Sequence, residues 1–190
     1  MTVAGLLLAA GAGRRMGRPK ALVELHGEPL VRRALRVLAD GGCGPLVVVL
    51  GAAADEVRAQ LPDGVRAVVA DDWASGMGAS LRAGLAVLDS DAALVHLVDL
   101  PGVTAAAVER LVADPVGPHT LRRAAYGGRA AHPVLLGRDH WDAVATSATG
   151  DAGARAYLGG HPDVELVECG DVAVPEDVDT PEALARFAGS

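Results

Sequence analysis

Short runs of apolar residues alternate with amphipathic segments through the first half of the chain. The runs are Val3–Ala10, Pro45–Leu50, Val65–Ala70 and Ala92–Val98, and they are apolar at nearly every position, as strands buried on both faces are. The segments between them are long enough to cross over as helices, and this alternation is typical of βαβ units. The sequence therefore predicts a three-layer α/β/α domain with a mostly parallel sheet, and a single domain over residues 1–190.

The helices and the remaining strands follow from local start and stop signals. After Pro115 two strand-like runs, His119–Tyr126 and His132–Leu136, are joined by Gly127-Gly128, and they predict a small antiparallel insertion. Val164–Glu168 predicts one more strand. Helices are predicted at Pro29–Ala39, Asp55–Leu61, Met77–Leu88, Ala105–Ala113, Trp141–Ser147 and Ala152–Leu158, with a last helix from Thr180-Pro181 to the C-terminus.

Charge and composition exclude several classes of protein. The chain has 24 acidic and 17 basic residues, and its net charge of −7 argues against a broad nucleic-acid-binding surface. No apolar run is long enough to span a membrane. The run Val3–Ala10 has no basic residue before it, unlike a secretory signal, and Cys43 and Cys169 do not have the spacing of a metal site. The sequence thus predicts a cytoplasmic protein with no nucleic-acid or membrane partner.

The segment that follows the first predicted strand is rich in glycine and in positive charge. Ligands of open parallel sheets bind beyond the carboxyl ends of the strands, which is where this segment lies. Gly11, Gly13 and Gly17 let backbone N–H groups turn towards an anion, and Arg15 is expected to neutralise phosphate oxygens. A triphosphate fits this loop best. The predicted nucleotide-binding residues of the loop are Ala9, Ala10, Gly11, Ala12, Gly13 and Lys20.

Lys20 is the only lysine among the 17 basic residues of the chain. A compact ammonium group contacts a phosphate as a point charge, which a guanidinium does not reproduce. The glycine spacing G-x-G-x-x-x-G, interrupted by Pro19, does not match the dinucleotide-binding fingerprint, and the chain has no Gly-Lys pair for a Walker A loop. The sequence therefore predicts a phosphate site of another kind, with Lys20 and Arg15 as catalytic cations.

Residues Leu8–Lys20 read L-A-A-G-A-G-R-R-M-G-R-P-K and resemble the signature of the MobA-like NTP transferases. The resemblance is closest to the molybdenum cofactor cytidylyltransferase branch, because the guanylyl branch usually has Ala-Gly-Gly where this chain has Ala-Ala-Gly. It implies a Rossmann-like fold of the nucleotide-diphospho-sugar transferase type. Further segments similar to the family's motifs are Gly76–Leu81, Val98–Pro101, His132–Val134, Gly150–Arg155 and Asp177–Glu182.

Nucleotidyl transfer needs a divalent cation, which one or two carboxylates hold together with phosphates and water. Asp99 follows the fourth predicted strand, so its carboxylate is expected at the same sheet edge as the glycine loop. The resemblance implies that Asp99 and Asp179 bind Mg²⁺, with Asp177 a weaker candidate. Capping of the helix that begins at Pro181 is the alternative role for Asp179, although Thr180 can also supply that cap.

Three other positions are candidate contacts for the two substrates. Asp72 follows the third predicted strand and is expected to contact the nucleotide. The resemblance implies that Ser80 contacts the base or ribose. It also implies that His132 lines the acceptor side, where Ala131 replaces the glycine that usually precedes this histidine.

The resemblance implies an enzyme that transfers a nucleotide from an NTP, with CTP favoured, to a phosphate monoester, with molybdopterin favoured. Pyrophosphate leaves, and no protein nucleophile is needed because the acceptor phosphate is already ionised. A molybdoenzyme that receives the product is a further implied partner. Guanylyl transfer, transfer to a sugar phosphate, and a nucleotide- or pterin-binding module without catalysis are the alternatives.

Overall fold

A seven-stranded sheet forms the centre of the computed structural model, which describes residues 1–113 and 115–189. The strands of the chain are β1 (Val3–Leu8), β2 (Glu24–Leu25), β3 (Glu28–Pro29), β4 (Leu46–Leu50), β5 (Arg66–Val69), β6 (Ala92–Leu97), β7 (Leu121–Tyr126), β8 (Arg129–Gly137) and β9 (Val164–Glu168). The order in the sheet is β5-β4-β1-β6-β8-β7-β9, and β2 and β3 form a separate antiparallel pair. Only β8 runs antiparallel to its neighbours in this sheet, which confirms the mostly parallel sheet and the antiparallel insertion.

Helices cover both faces of the sheet and bury two apolar clusters against it. Leu35 and Val108 belong to the cluster on one face, and Leu81 and Val144 belong to the cluster on the other. The predicted three-layer α/β/α architecture is therefore confirmed. The helices are α1 (Leu30–Asp40), α2 (Ala54–Arg58), α3 (Met77–Leu85), α4 (Ala105–Val112), α5 (Trp141–Ser147), α6 (Arg155–Leu158) and α7 (Pro181–Ala188).

Most differences from the sequence prediction are at the ends of elements. The predicted helix Ala152–Leu158 is wrong at its start, because Gly153 adopts φ +52° and separates a 3₁₀ turn at Gly150–Ala152 from α6. The β2–β3 hairpin was not predicted; His26 and Gly27 form its turn with φ of 54° and 78°. Ser190, at the end of the predicted last helix, lies outside the described residues. No helix within residues 1–113 or 115–189 is long and apolar enough to cross a membrane.

The strand order creates a crevice between β1 and β6. From β1 the chain adds β4 and β5 on one side of the sheet and then crosses to place β6 on the other side. In parallel sheets, ligands bind where the direction of winding reverses in this way. Leu8 pairs with Leu97 at the carboxyl ends of the two strands, so the glycine loop and Asp99 leave the sheet side by side.

Candidate active site

The glycine loop doubles back on itself because glycine allows two left-handed residues. Gly13 has φ +59°, and a Cβ atom at this position would overlap the carbonyl oxygen of Arg18. A 3₁₀ turn at Arg14–Met16 follows and is closed by Gly17 at φ +71°. The chain then forms a second 3₁₀ turn at Lys20–Leu22, whose Ala21 and Leu22 are buried. This buried anchor fixes Lys20 at the carboxyl edge of the sheet.

Lys20 is the electrostatic centre of this edge. Its Nζ atom donates to Asp99 Oδ2 at 2.6 Å and also contacts Asp179 Oδ1. Burial of the ammonium opposes its charge, but the two carboxylates outweigh this effect and raise the pKa of Lys20. The hydrogen bond from Lys20 lowers the pKa of Asp179, whose Oδ2 also accepts from Arg15 at 3.2 Å. The predicted catalytic cations and the predicted metal carboxylates thus lie together.

Asp179 reaches this position through backbone contacts of the C-terminal segment. The N–H of Val178 donates to the carbonyl oxygen of Asp99 at 2.8 Å, which ties the segment to the end of β6. Thr180 caps α7, because its side chain accepts from the N–H of Ala183. The capping role considered for Asp179 is therefore filled by its neighbour, and the Asp179 carboxylate faces Lys20.

A first cavity of about 440 Å³ opens over the carboxyl ends of β1 and β6. Loop residues Ala10 to Gly13 form one wall, and the buried Ser80 of α3 lies on another. Trp73 forms a third wall and packs on Gly51, where a Cβ atom would be 2.5 Å from the Trp73 Cγ atom. The cavity therefore combines a backbone cradle with an aromatic surface, as a nucleotide requires.

A second cavity, of about 900 Å³, adjoins the first. His132 of β8 lines it together with Arg123 of β7 and Arg155 of α6. Lys20 and Asp99 line both cavities and therefore mark the place where they meet. Two molecules bound in the two cavities would face each other across these side chains.

The two carboxylates fit a divalent cation that has few protein ligands. Asp99 and Asp179 both reach one ammonium group, so a cation near the Lys20 Nζ position would be within reach of both. Within the described part of the chain, no group of three or more His, Cys, Asp or Glu side chains is placed to hold a metal ion. A cation here would complete its shell with phosphate oxygens and water, which is how Mg²⁺ usually binds.

Comparison with known proteins identifies the family. Residues 5–165 match the family model of the MobA-like NTP transferase domain. The chain belongs to the MobA-like NTP transferase family. It is thus a nucleotidyltransferase by family, and the resemblance of the Leu8–Lys20 segment is confirmed.

Relatives that cover nearly the whole of this transferase carry different names. Nicotine blue oxidoreductase from Paenarthrobacter nicotinovorans is 43% identical, over 97% of this chain and 96% of that protein. Molybdenum cofactor guanylyltransferase from Rhodobacter capsulatus is 33% identical, over 98% and 95% of the two chains. The crystal structure of Rv0371c from Mycobacterium tuberculosis H37Rv in complex with manganese superposes with a TM-score of 0.80 at 30% identity, and the match covers 100% of both chains.

Three of the predicted site residues of the transferase do not line either cavity. Ala9 is buried, and its N–H donates to the carbonyl oxygen of Val49 at 2.9 Å, as in a continuing strand ladder. Asp72 is exposed and pairs with Arg82 at 3.2 Å. Arg15 is also exposed; among the described residues its contact with the site is the pair with Asp179.

Several residues that line the cavities were not predicted. Arg14 lines the first cavity, although the sequence does not distinguish it from the other loop cations. Asp151 and Arg155 belong to the segment Gly150–Arg155, which the family resemblance included without a role. Arg123 had no signal in the sequence, because only the pairing of β7 with β8 brings it to the cavity.

Proposed function

We propose that this transferase moves CMP from CTP to a phosphate monoester in a Mg²⁺-dependent reaction, and that the acceptor is molybdopterin. The observation that carries the proposal is that Lys20 and Asp99 line both cavities. Nucleotidyl transfer joins a nucleotide to a second substrate. The charged side chains of the enzyme must therefore reach both molecules. The family identity and the likeness to a molybdenum cofactor guanylyltransferase support this choice of reaction and of acceptor.

In the proposed complex the nucleotide occupies the first cavity. The backbone N–H groups of the glycine loop face its phosphates, and Arg14 adds charge from the same loop. The Trp73 ring offers a surface on which the base stacks, and the Ser80 hydroxyl is within the same cavity for a polar contact. Recognition of the phosphates thus depends on backbone, while recognition of the base depends on two side chains.

The acceptor phosphate oxygen attacks the α-phosphorus and forms a new P–O bond. The bond from the α-phosphorus to the bridging oxygen breaks, and pyrophosphate leaves with that electron pair. The Lys20 ammonium stabilises the negative charge that develops on these oxygens, and it is already partly desolvated. A Mg²⁺ ion held by Asp99 and Asp179 would supply charge neutralisation and orientation of the phosphates.

Lys20 has to change partners when the substrates bind. Without substrates its ammonium lies between the two carboxylates that we assign to the cation. With a divalent cation held by Asp99 and Asp179, the Lys20 ammonium would be free to turn to the triphosphate. Lys20 therefore keeps the two carboxylates from repelling each other in the free protein and acts on phosphate in the complex.

Thermal-shift measurements with CTP, GTP and ATP, each with Mg²⁺, test the choice of base. The proposal expects CTP to raise the melting temperature more than the others do. A larger shift with GTP would instead support the guanylyl alternative, which the 33% identical guanylyltransferase favours. The acceptor is tested by pyrophosphate release when molybdopterin is added to CTP and Mg²⁺. Release with a sugar phosphate but not with molybdopterin would replace the acceptor in the proposal.

A second candidate function is oxidoreduction, and the 43% identity to nicotine blue oxidoreductase favours it. The same cavities would then hold an electron donor and an electron acceptor. Oxidation of a reduced pyridine nucleotide in the presence of nicotine blue, followed by absorbance, tests this candidate. Dye reduction without pyrophosphate release from any NTP would establish it over the transfer reaction.

A further inference from the structure

Arg123 is a charged side chain in a place where a strand usually carries an apolar one. It lies on β7 between β8 and β9, opposite Val134 and Leu166, and it is half-buried. Its Nε atom is buried and has no hydrogen-bond partner. In the part of the chain that the structure describes, Arg123 forms no ion pair. A buried donor without a partner is costly, so the Nε atom favours a ligand with an acceptor oxygen in the cavity.

Two neighbours of Arg123 strengthen the case for a bound ligand, because Arg155 and His132 also carry polar groups that no described residue pairs with. Arg155, the first residue of α6, lines the same cavity and likewise has no acidic partner among the described residues. Burial lowers the pKa of Arg123, and the charge of Arg155 lowers it further, which shows that the two guanidinium groups repel each other. The Nδ1 atom of His132 is also buried and unpaired. The wall of the second cavity thus carries two positive groups and an unused ring nitrogen.

Arg123, Arg155 and His132 line the same cavity as the side chains proposed to carry out the transfer. The charges of Arg123, Arg155 and Asp99 all act on His132, so they lie within electrostatic range of one imidazole. Burial lowers the pKa of His132 to about 4, so the ring is neutral and adds no charge to the cavity. A hydrogen bond to the backbone of Val95 uses its other nitrogen, which leaves Nδ1 as an acceptor. The same cavity reaches Asp99 and Lys20.

We propose that Arg123 and Arg155 form an anion subsite that binds the phosphate monoester of the acceptor, beside the neutral ring of His132. The inference rests on the proposed function, because it names the residues that hold the second substrate. Two guanidinium forks match the charge and the several oxygens of a phosphate dianion better than those of a carboxylate. The subsite therefore selects acceptors by their phosphate group and places that group beside Lys20.

The test measures binding of a small phosphate monoester by calorimetry. Phenyl phosphate is titrated into the full-length protein saturated with a non-hydrolysable CTP analogue and Mg²⁺, so that the glycine loop is occupied. Arg123→Met and Arg155→Met each remove one guanidinium but keep an unbranched side chain. Arg129→Met, on β8 but outside the cavity, is the matched control. Benzoate replaces phenyl phosphate in a parallel titration.

We expect Arg123→Met and Arg155→Met each to weaken phenyl phosphate binding by roughly 10- to 100-fold, the loss of one charge-assisted contact. Arg129→Met should leave it unchanged, and benzoate should bind more weakly than phenyl phosphate. The melting temperature should not fall in Arg123→Met, because a charge without a partner is removed. Unchanged phenyl phosphate binding in both cavity variants, or equal binding of benzoate, would overturn the subsite.

The subsite and the proposed function can fail separately. If CTP and the other triphosphates do not bind, the titration is repeated without nucleotide, and a loss of phenyl phosphate affinity in Arg123→Met still supports the subsite. If CTP is turned over normally but phenyl phosphate affinity does not respond to either arginine, the subsite is wrong and the transfer reaction stands. Affinity of the CTP analogue itself should be the same in all three variants.

Discussion

The two cavities that meet at Lys20 are built in opposite ways. The first cavity has one wall formed by a continuous glycine-rich loop, residues 10–14 with Lys20. The loop's two charged groups that reach Asp179, Lys20 and Arg15, are already paired with it. The second cavity is lined by side chains from several distant segments, and its two arginines have no ion pair among the described residues. The difference indicates that the first cavity holds a triphosphate through its glycine loop, whereas the second offers these two arginines to an anionic group of the acceptor.

The largest effect is expected where the cavities meet. Lys20→Ala should reduce turnover by roughly 10²- to 10³-fold, because a preorganised charge on the developing transition state is lost. Nucleotide affinity should change far less, since backbone groups hold the phosphates. The measurement is steady-state turnover beside the dissociation constant of CTP. Arg18→Ala, an exposed cation of the same loop, is the control; equal losses of turnover and affinity in Lys20→Ala would mean that Lys20 serves binding alone.

Of the carboxylates near Lys20, Asp99 and Asp179 should be needed for metal binding, whereas Asp177 should not. Asp99→Asn and Asp179→Asn should each weaken Mn²⁺ binding by at least roughly 10- to 100-fold, since even residues behind metal ligands change affinity that much. Asp177→Asn, which lines the second cavity without contacting Lys20, should bind Mn²⁺ as the unmodified protein does. Mn²⁺-dependent melting temperatures report all three. A normal Mn²⁺ response in Asp99→Asn would show that the cation does not bind where the two cavities meet.

A smaller effect should measure how much the backbone of the glycine loop contributes to nucleotide binding in the first cavity. A Cβ atom at Gly11 would meet nothing within 4 Å in the free protein. Gly11→Ala should therefore keep the melting temperature and weaken CTP binding by roughly tenfold, about 1.4 kcal/mol, because the methyl group stands where phosphates approach. Gly13→Ala is the contrasting variant: its left-handed backbone alone costs about 1–2 kcal/mol of stability, and the overlap of the new Cβ with the Arg18 carbonyl oxygen adds to this cost before any ligand is present. Unchanged CTP affinity in Gly11→Ala would show that the phosphates lie elsewhere.

The last effect is, per pH unit, no larger than that at Gly11. It distinguishes unpaired buried polar atoms that line a cavity large enough for a ligand from those that do not. His96 has an unpaired Nδ1 atom, like His132, but the space beside it is only about 10 Å³. Burial, with a contribution from His132, lowers the pKa of His96 from 6.5 to about 3. The unfolded chain therefore binds a proton in this range that the native state excludes, and stability falls as pH falls from 6.5 towards 3.

His96→Leu should reduce this pH dependence by about 1.4 kcal/mol of unfolding free energy per pH unit. Denaturant unfolding at several pH values between 6.5 and 4 measures the slope in the variant and in the unmodified protein. His96→Leu should leave phenyl phosphate binding unchanged, in contrast to the variants of the second cavity. An unaltered slope would mean that His96 is protonated without cost in the native state.

The contrast between the cavities also explains which site residues could be predicted from the sequence and which could not. The strands and the glycine loop are predictable because each is a local pattern of apolar runs, glycines and charges. Asp99 is predictable because it follows a strand that ends at the same edge. Arg123 is not, because an arginine in a strand resembles any solvent-facing residue until the pairing of β7 with β8 turns it into the cavity. Asp72 shows the reverse error, since a position at the correct edge does not fix the direction of a side chain.

The central claim is that the junction formed by Lys20 and Asp99 joins a nucleotide to a phosphorylated acceptor. The most direct measurement incubates the full-length protein with CTP labelled at the α-phosphate, Mg²⁺ and molybdopterin, and follows both label and pyrophosphate. We expect label on the acceptor with one pyrophosphate released per label transferred, and loss of both in Asp99→Asn. Absence of transfer from CTP, GTP and ATP alike, while the protein reduces nicotine blue, would contradict the claim.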